Sequence, residues 1–358
     1  MTTDANEGLN DDLDGPCVEP TATLPIGCLI AGIPHLLGFT PEESLIVLAM
    51  SGQAQSPVAA TMRVDLPDPE DCADRDALID WLAEPLAQVA RASSSWVVAL
   101  WSEAPTPADE DYLRRATRAV VQATGLDALA LVVWKDPHAA ALTRWRRVAR
   151  TEPTVGQCSA VEPDGLPLTE RDFRRAHAIF ATAGRVPAPS REALEAEIQP
   201  VHGDDDRVAS LTQVDDDAFE VAVTHAIGVL RAEVPAHDSH LMLLSSALSN
   251  IFVRDTVIHD LMTDPHRRWG VAADVLANAV RCVPRNARPP LATCLAIVRW
   301  QLGDGARAVI AVTSALEVDP EYSLAHLVGG CITGGIHPEV WRRDLVCLPR
   351  QVCTGRRG

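Results

Sequence analysis

The amino-acid sequence predicts an α/β amino-terminal half followed by an all-α carboxy-terminal half. In the first half, apolar runs typical of buried strands alternate with helical patterns up to residue 136. After an acidic stretch near residue 210, only helical periodicity occurs. Strands that alternate with helices favour parallel pairing through right-handed crossovers, so we expect a small layered sheet with helices packed on it.

The predicted order of the first elements is β-β-α-β-α-β, and a short turn makes the first two strands candidates for an antiparallel pair. Asp74 is the predicted N-cap of the first helix. Thr106 and Asp109 form a capping-box pattern at the start of the second helix, which Gly125 ends. The predicted strands are residues 44–50, 58–66, 95–101 and 126–135, and the predicted helices are residues 75–91, 107–124, 170–183 and 190–198.

The second half is predicted to be a helical bundle. From Trp300 to Pro320, with Gly303 opening a turn, the sequence resembles a tetratricopeptide helical hairpin. Because about three such repeats are needed for a stable stack, we expect a bundle that ends in one tetratricopeptide-like hairpin. The predicted helices are residues 217–233, 237–250, 252–262, 269–282, 290–302, 304–318 and 321–333, with a short one from residue 338.

A chain of 358 residues is longer than a single hydrophobic core usually supports and is long enough for two domains. Residues 203–217 hold six aspartates against one arginine, and such a run of like charge resists burial, so we place the domain boundary there. The alternative interpretation is that paired carboxylates in this stretch form a catalytic site. The predicted division is an acidic disordered arm at 1–20, an α/β domain at 21–202, an acidic linker at 203–217, a helical domain at 218–348 and a basic tail at 349–358.

The composition argues against several classes of protein. A net charge of −18 opposes binding to the phosphate backbone of nucleic acids. The nine cysteines include no C-x-x-C pair, so we expect reduced thiols and a cytoplasmic location rather than a disulfide framework or a thiolate zinc site. The acidic start lacks a signal-peptide pattern, and Pro25 and Pro34 break the apolar stretch at residues 24–39, so no membrane span is expected.

The sequence contains no P-loop, zincin or nucleophile-elbow motif, and no cofactor is predicted. The glycine pattern from Gly303 to Ala308 follows a helical segment, whereas a dinucleotide site requires a strand there. His237 and His240 have a spacing that suits one face of a helix. Because no third ligand is nearby in sequence, we interpret them as capping or surface residues rather than as a metal site.

The predicted ligand site lies at the carboxyl ends of the strands, where strand-to-helix loops and helix N-termini converge in open α/β sheets. A carboxylate, an aromatic face, a hydroxyl and the chain's single lysine could orient a small polar molecule there. In the alternative interpretation, Asp65 and Asp136 cap proline-containing turns and Trp101 packs between layers. The candidate ligand-binding residues are Arg63, Asp65, Trp101, Ser102, Lys135 and Asp136.

Two functions of different class fit this sequence. The first is a binding or regulatory protein whose α/β half holds a small ligand and whose helical half contacts a protein partner. The second is an enzyme that uses Asp65 as a base or ligand anchor, with Arg63 and Lys135 nearby. The absence of a catalytic motif favours the binding protein. Neither nucleic acid nor a membrane is an expected partner.

Several segments carry a resemblance to a known bacterial family. Residues 33–48, IPHLLGFTPEESLIVL, resemble the opening of the family called domain of unknown function 4192, which occurs largely in high-G+C Gram-positive bacteria. The resemblance extends in order from about residue 22 to residue 342 and implies no activity. The other segments that carry it are residues 63–67, 184–192, 253–255, 302–305, 319–325 and 337–341.

The chain departs from that family at one segment. Members often have a cysteine-rich stretch that ends in Cys-Cys-Pro after a tryptophan strand, whereas here Trp145 is followed by residues 151–163 with Cys158 alone. The resemblance therefore implies no metal or disulfide role for this segment. The motif from Ile33 to Ser44 also has a purely structural interpretation, because its prolines fix φ and Gly38 permits a sharp stop after a short helix.

Overall fold

A computed structural model of the chain describes residues 24–53, 56–68, 71–136, 139–148, 164–181, 187–201 and 218–354. The predicted arm at 1–20 and the predicted linker at 203–217 lie outside the described residues, as do the last four residues of the predicted tail. The described residues form a mixed sheet with helices in the first half and helices in the second, which confirms the predicted fold class.

The sheet has six strands in the order β2-β1-β3-β4-β5-β6. The expected antiparallel pair of the first two strands is present, and β3 and β4 are parallel as expected. The other described strand pairs are antiparallel, which the expectation of parallel pairing did not include. The two crossovers do join strands of one direction, but β1 is inserted antiparallel between β2 and β3. The strands are β1 Ser44–Gln53, β2 Ser56–Asp65, β3 Ser95–Trp101, β4 Ala128–Asp136, β5 Ala139–Arg147 and β6 Leu166–Pro167.

Helices cover both faces of this sheet. The first half contains α1 Ile26–Leu37, α2 Cys72–Val89, α3 Pro107–Thr124, α4 Glu170–Phe180 and α5 Arg191–Ala196. Alternate residues of the central strands point to opposite faces. One face packs against α2 and α3, and the other packs against α1, α4 and helices of the second half. The result is a three-layer arrangement in which the sheet is the middle layer.

Local sequence signals explain several of the helix ends. The capping box of Thr106 and Asp109 is present, and Gly125 ends α3 with φ 70°. Gly38 ends α1 in the same left-handed way, with φ 80°. Asp74 as the N-cap of α2 was wrong, because this helix starts earlier and Asp71 accepts the hydrogen bond from the Asp74 backbone N–H at 3.0 Å.

Two strands were absent from the prediction. β5 covers the arginine-rich patch, where three arginines within four residues obscure the alternation of a strand. Its arginines are tolerated because carboxylates lie against them, with Arg144 bonded to Asp136 and Arg146 bonded to Glu110. β6 has two residues, too short to leave a pattern.

The second half contains nine described helices, eight of which were predicted. They surround α10, which is buried along nearly its whole length and contacts α7, α9, α11, α12 and α13. Gly303, with φ 75°, lies in the turn between α10 and α11, as predicted for a hairpin, but a tetratricopeptide repeat is not established. The helices are α6 Phe219–Leu230, α7 Asp238–Ser249, α8 Ile251–Thr263, α9 Trp269–Cys282, α10 Arg288–Gln301, α11 Gly305–Val318, α12 Ser323–Thr333, α13 Pro338–Val346 and α14 Arg350–Cys353.

One hydrophobic cluster includes residues from both halves. It joins α1, one face of the sheet, α4 and α5 to the helices of the second half. A polar contact reinforces this junction, because Arg307 of α11 binds both carboxylate oxygens of Glu197 at 2.6 Å. Within the described part of the chain, no single helix is long and apolar enough to cross a membrane, and the apolar pair α7 and α8 is bent by 105°.

Candidate functional site

The carboxyl ends of β2, β3 and β4 lie at one edge of the sheet. The register pairs Ser44 with both Asp65 and Trp101, and pairs Trp101 with Val133. We call these strand ends and the turns that follow them the sheet edge. The six candidate residues lie in or directly next to these strand ends, so the sequence identified residues that the topology brings to one edge.

Arg63 and Asp65 form a pair at this edge. The Arg63 Nη2 lies 2.5 Å from Asp65 Oδ1, and its Nε donates to the Ser44 hydroxyl at 2.9 Å. The guanidinium also lies over the Phe39 ring, 5.6 Å from the ring centre. The Arg63 side chain is 11% exposed, whereas that of Asp65 is 74% exposed. Arg63 therefore ties β2 to β1 and to the segment after α1.

Ser102 and Lys135 contact glutamates that lie just before β1 and just after β3. The Glu43 carboxylate accepts from the Ser102 hydroxyl at 3.1 Å and from the Glu103 backbone N–H at 2.7 Å. Glu43 has φ 32°, a conformation that costs a residue with a side chain about 1 kcal/mol. The Lys135 ammonium lies 3.5 Å from Glu42 and 4.0 Å from Glu103. The two cations, Arg63 and Lys135, and the Ser102 hydroxyl therefore all have partners within the chain.

Trp101 and Asp136 are buried. Trp101 belongs to the hydrophobic cluster shared by the two halves. Asp136 accepts from Arg144 Nε at 2.5 Å, and the same guanidinium donates to the carbonyl oxygens of Asp164 and Gly165, next to β6. The packing of Trp101 matches the alternative interpretation, whereas the described side-chain contact of Asp136 is an ion pair with Arg144 of β5. A role for the six residues in ligand binding stays a prediction.

An arginine that the sequence did not single out lies between the first turns of α2 and α3. Arg75 is 2% exposed. Its guanidinium donates to the carbonyl oxygens of Pro67 and Ala108 and to Asp109 at 2.6 Å. In open α/β sheets, ligands commonly bind between such helix N-termini. Here a side chain of the protein itself supplies the cation and the hydrogen bonds at that position.

A second polar region is a cavity of about 250 Å³ between the two halves. We call it the junction cavity. Its walls come from α5 and the residues after it, from the turn before α10 and from α11. Ile198, Ile310 and Val318 supply apolar surface. The charged lining residues are Arg191, Glu195, Arg285, Arg288 and Glu317, and the neutral polar ones are Gln199, Thr313 and Ser314.

The first-half wall of the junction cavity is held by specific bonds. Ser190 caps α5 by accepting from the Ala193 backbone N–H at 3.3 Å. After α5, the Val201 backbone N–H donates to the Arg281 carbonyl at 3.0 Å. Together with the pair between Glu197 and Arg307, this bond fixes the segment against the helical half.

Two arginines form the opposite wall. Arg288 is 6% exposed, and its Nε donates to the Val283 carbonyl at the end of α9 at 3.2 Å. Arg285 Nη2 donates to the Glu317 carbonyl near the end of α11 at 3.3 Å. This site could not be predicted from the sequence, because the spacing of Arg285 and Arg288 matches no motif and Arg191 lies far from them along the chain.

The helical half also contains an open apolar groove of about 260 Å³ between α11 and α12. Val309, Val312, Leu316 and Ile332 line it, and Gly330 leaves its floor open because no atom lies within 4 Å of a Cβ built there. The groove and the junction cavity lie on neighbouring faces of α11, and Thr313 borders both.

The histidines near α7 do not form a metal site with their neighbours. The His225 and His240 ring centres are 5.4 Å apart, and those of His237 and His240 are 6.2 Å apart. His240 bonds to the Pro235 carbonyl through Nδ1 at 2.7 Å. Burial, and then the neighbouring His240, lower the pKa of His225. In the described ranges, no cluster of three or more His, Cys, Asp or Glu residues could hold a metal ion.

Segments that carry the family resemblance meet beside α5. The Ala188 backbone N–H donates to the Gly38 carbonyl at 2.8 Å, and the Thr40 N–H donates to the Ala188 carbonyl at 3.0 Å. Arg307 approaches Gly38 closely, at 3.3 Å from the position of a Cβ. A family model described as Domain of unknown function (DUF4192) matches residues 27–339. No curated protein and no solved structure matches the chain.

Proposed function

We propose that this chain, which belongs to the DUF4192 family, is a binding protein that holds a small polar ligand in the junction cavity. The observation that carries the proposal is the origin of the cavity walls, which come from both halves of the chain. A ligand bound there contacts both halves at once. Its binding free energy therefore adds to the contacts between them, which is a simple basis for a regulatory role.

The cavity has the chemistry of a small-molecule site. Ligand sites generally combine apolar walls with a few polar groups that fix orientation. Here apolar residues such as Ile198 and Ile310 share the lining with guanidinium, carboxylate, amide and hydroxyl groups. The volume of about 250 Å³ lies slightly below the range of drug-sized pockets, so the occupant is a small molecule.

An enzyme with its site at the sheet edge is the alternative. General acid–base catalysis needs a group whose proton is available to a substrate. At this edge, Asp65 contacts Arg63, Ser102 contacts Glu43, and Asp136 contacts Arg144. Because these described groups are engaged with one another, the geometry favours binding over catalysis.

The helical half also offers a place for a protein partner. The open groove between α11 and α12 is lined by the apolar side chains of Val309, Val312, Leu316 and Ile332. Exposed apolar surface of this kind is common at interaction sites. A partner at this groove would contact α11, the same helix that borders the junction cavity, so ligand and partner would share one element.

Native mass spectrometry of the purified full-length protein tests the proposal. Ser314→Trp places a large side chain in the junction cavity, and Ser249→Trp makes the same change at an exposed position on α7. We expect a co-purified small molecule on the wild-type protein and on Ser249→Trp, but not on Ser314→Trp. The proposal fails if both variants keep the same ligand, and conversion of that ligand during incubation would support the enzyme.

A further inference from the structure

We infer that β2 pairs with the same strand of a second copy of this chain, in antiparallel orientation about a two-fold axis. The inference is independent of the junction cavity and of its ligand. β2 is an end strand of the six-stranded sheet, so one of its sides contacts β1 and the other has no neighbouring strand among the described residues. An edge strand of this kind is a template for pairing with another chain.

The hydrogen bonds show which groups of β2 point away from β1. The Leu66 backbone N–H donates to the Glu43 carbonyl at 2.9 Å, and bonded and non-bonded pairs alternate along an antiparallel ladder. The N–H and C=O groups of Thr61, Arg63 and Asp65 therefore point away from β1. In the described part of the chain, these backbone groups form no hydrogen bond. We call them the open side of β2.

Only the first part of β2 is protected against such pairing. Pro57 has no backbone N–H, and the register with β1 shifts by one residue at Ala59, which indicates a bulge. Prolines, bulges and lysines are the common protections of edge strands. Residues 60–66 contain no proline and no lysine, and their register with β1 is regular from residue 60 to residue 65. This stretch, which includes the open side, can therefore accept a strand.

The apolar side chains of this stretch favour one register, with Val64 opposite Val64 of the second copy. Met62 then lies opposite Leu66 of the second copy, so a row of three apolar side chains meets the same row in reverse order. Within one chain these three side chains are only partly buried, against the cluster that the sheet forms with α2 and α3. Cross-strand contacts of this type stabilise paired strands.

The charged side chains of β2 favour the same register. Arg63 lies opposite Asp65 of the second copy, and Asp65 lies opposite Arg63, so the charges alternate across the pair. A register centred on Arg63 would instead oppose two arginines, which is destabilising. Arg63 and Asp65 already contact each other within one chain at 2.5 Å. The charges therefore select the register, whereas the backbone and the apolar row supply the attraction.

The competing explanation is an edge strand whose backbone groups bond only to water. Water satisfies exposed N–H and C=O groups, so hydrogen bonds alone would favour pairing weakly. The two explanations differ in their dependence on protein concentration, because only pairing depends on it. Since the paired stretch is short, we expect a reversible dimer.

Sedimentation velocity of the full-length protein tests the pairing. We expect a dimer fraction that rises with concentration. Asp65→Lys should weaken the dimer about tenfold, because it places a lysine opposite Arg63 at two symmetric positions. Asp111→Lys, the same change at an exposed position of α3, is the matched control and should leave Kd unchanged. Thr61→Pro removes an N–H of the open side and no bond to β1, so it should also weaken the dimer.

Cysteine cross-linking tests the register. Residues of a non-hydrogen-bonded antiparallel pair have Cα atoms about 4.5 Å apart, which is within the range for a disulfide. Val64→Cys should therefore form a disulfide between two chains under mild oxidation, located by peptide mass mapping. Val121→Cys, at an exposed position of α3, is the control for the chain's other cysteines and should form no such link.

Each outcome decides the inference. A dimer that Asp65→Lys and Thr61→Pro both leave unchanged uses another surface and overturns it. A protein that stays monomeric up to about 100 μM also overturns it, and an extended peptide of another protein is then the occupant to test. If Thr61→Pro does not fold, Asp65→Lys, at a side chain that is 74% exposed, and the Val64→Cys link give the same test. None of these results bears on the ligand of the junction cavity.

Discussion

The sheet edge and the junction cavity both collect charged side chains, but they differ in the space between those side chains. At the sheet edge, Arg75 fills the position between the first turns of α2 and α3 and bonds to Asp109. At the junction cavity, about 250 Å³ of space separates the arginines of the two walls. The protein supplies partners for charged side chains in both regions, so the open space at the junction cavity, and not the charge alone, distinguishes it as a candidate ligand site.

The difference also has an energetic side. A buried guanidinium is costly unless a carboxylate or several carbonyl oxygens compensate it, and Arg75 has both kinds of partner. Such a group stabilises the connection between α2 and α3 and is not available for a changing ligand. The junction cavity instead lies between elements that are distant in sequence, so a ligand bound there would contact both halves of the chain.

The largest expected effect comes from removing Arg75, the buried cation between the first turns of α2 and α3. Arg75→Ala leaves the buried Asp109 carboxylate without its guanidinium partner, so the free energy of unfolding should fall by about 3–5 kcal/mol. Urea denaturation monitored by circular dichroism measures this change. Arg118→Ala, at an exposed position on α3, is the matched control and should change stability by less than about 0.5 kcal/mol. Equal losses of stability in the two variants would show that Arg75 does not stabilise the contact between α2 and α3.

A smaller effect is expected when the pH is lowered, because Asp109, the partner of Arg75, then becomes protonated. Burial alone would raise the pKa of Asp109, but hydrogen bonds from the Thr106 backbone and from Arg75 outweigh it and hold this pKa below its usual value. A lowered folded-state pKa contributes stability above the unfolded-state pKa of about 4, and this contribution is lost as pH falls through the folded-state pKa. Asp109→Asn should therefore flatten the acid side of the stability profile. An unchanged slope below about pH 4 would contradict this assignment.

Glu43 provides a third test of how tightly the sheet edge is built. Glu43→Ala removes the acceptor for Ser102 and for the Glu103 N–H, and should lower the free energy of unfolding by about 1–2 kcal/mol. Glu43→Gly loses the same bonds but relieves the left-handed backbone, so it should be about 1 kcal/mol more stable than Glu43→Ala. Thermal and urea unfolding of the two variants give the difference. A glycine variant no more stable than the alanine variant would exclude strain at this residue.

Much of the fold could be predicted from local patterns. The strand at 95–101 and the helix at 269–282 have the predicted bounds, because each has a continuous or periodic apolar pattern between clear ends. The position of β1 between β2 and β3 could not be predicted, since strand order depends on long-range pairing. β5 was missed because its Arg144 and Arg146 hide a strand whose carboxylate partners lie on other elements.

The candidate sites show the same limit. Strand ends are visible in the sequence, so the six residues of the sheet edge could be named in advance. The junction cavity depends on how α5 meets α11 and the turn before α10, and no local pattern encodes that approach. The arginines there look like ordinary loop and helix residues until the fold brings them together.

The smallest expected effects separate the two regions directly. Asp65 is 74% exposed beside Arg63, and Lys135 is 40% exposed beside Glu42, so each pair is largely screened by solvent. Asp65→Asn and Lys135→Ala should each change the free energy of unfolding by less than about 0.5 kcal/mol. If the ligand occupies the junction cavity, native mass spectrometry should find it unchanged on both variants. Loss of the ligand from these two stable variants, with its retention on Ser314→Trp, would move the site to the strand ends. That result would show that the internal pairs at the sheet edge open to receive a ligand, so the contacts seen there would describe a closed form of the site.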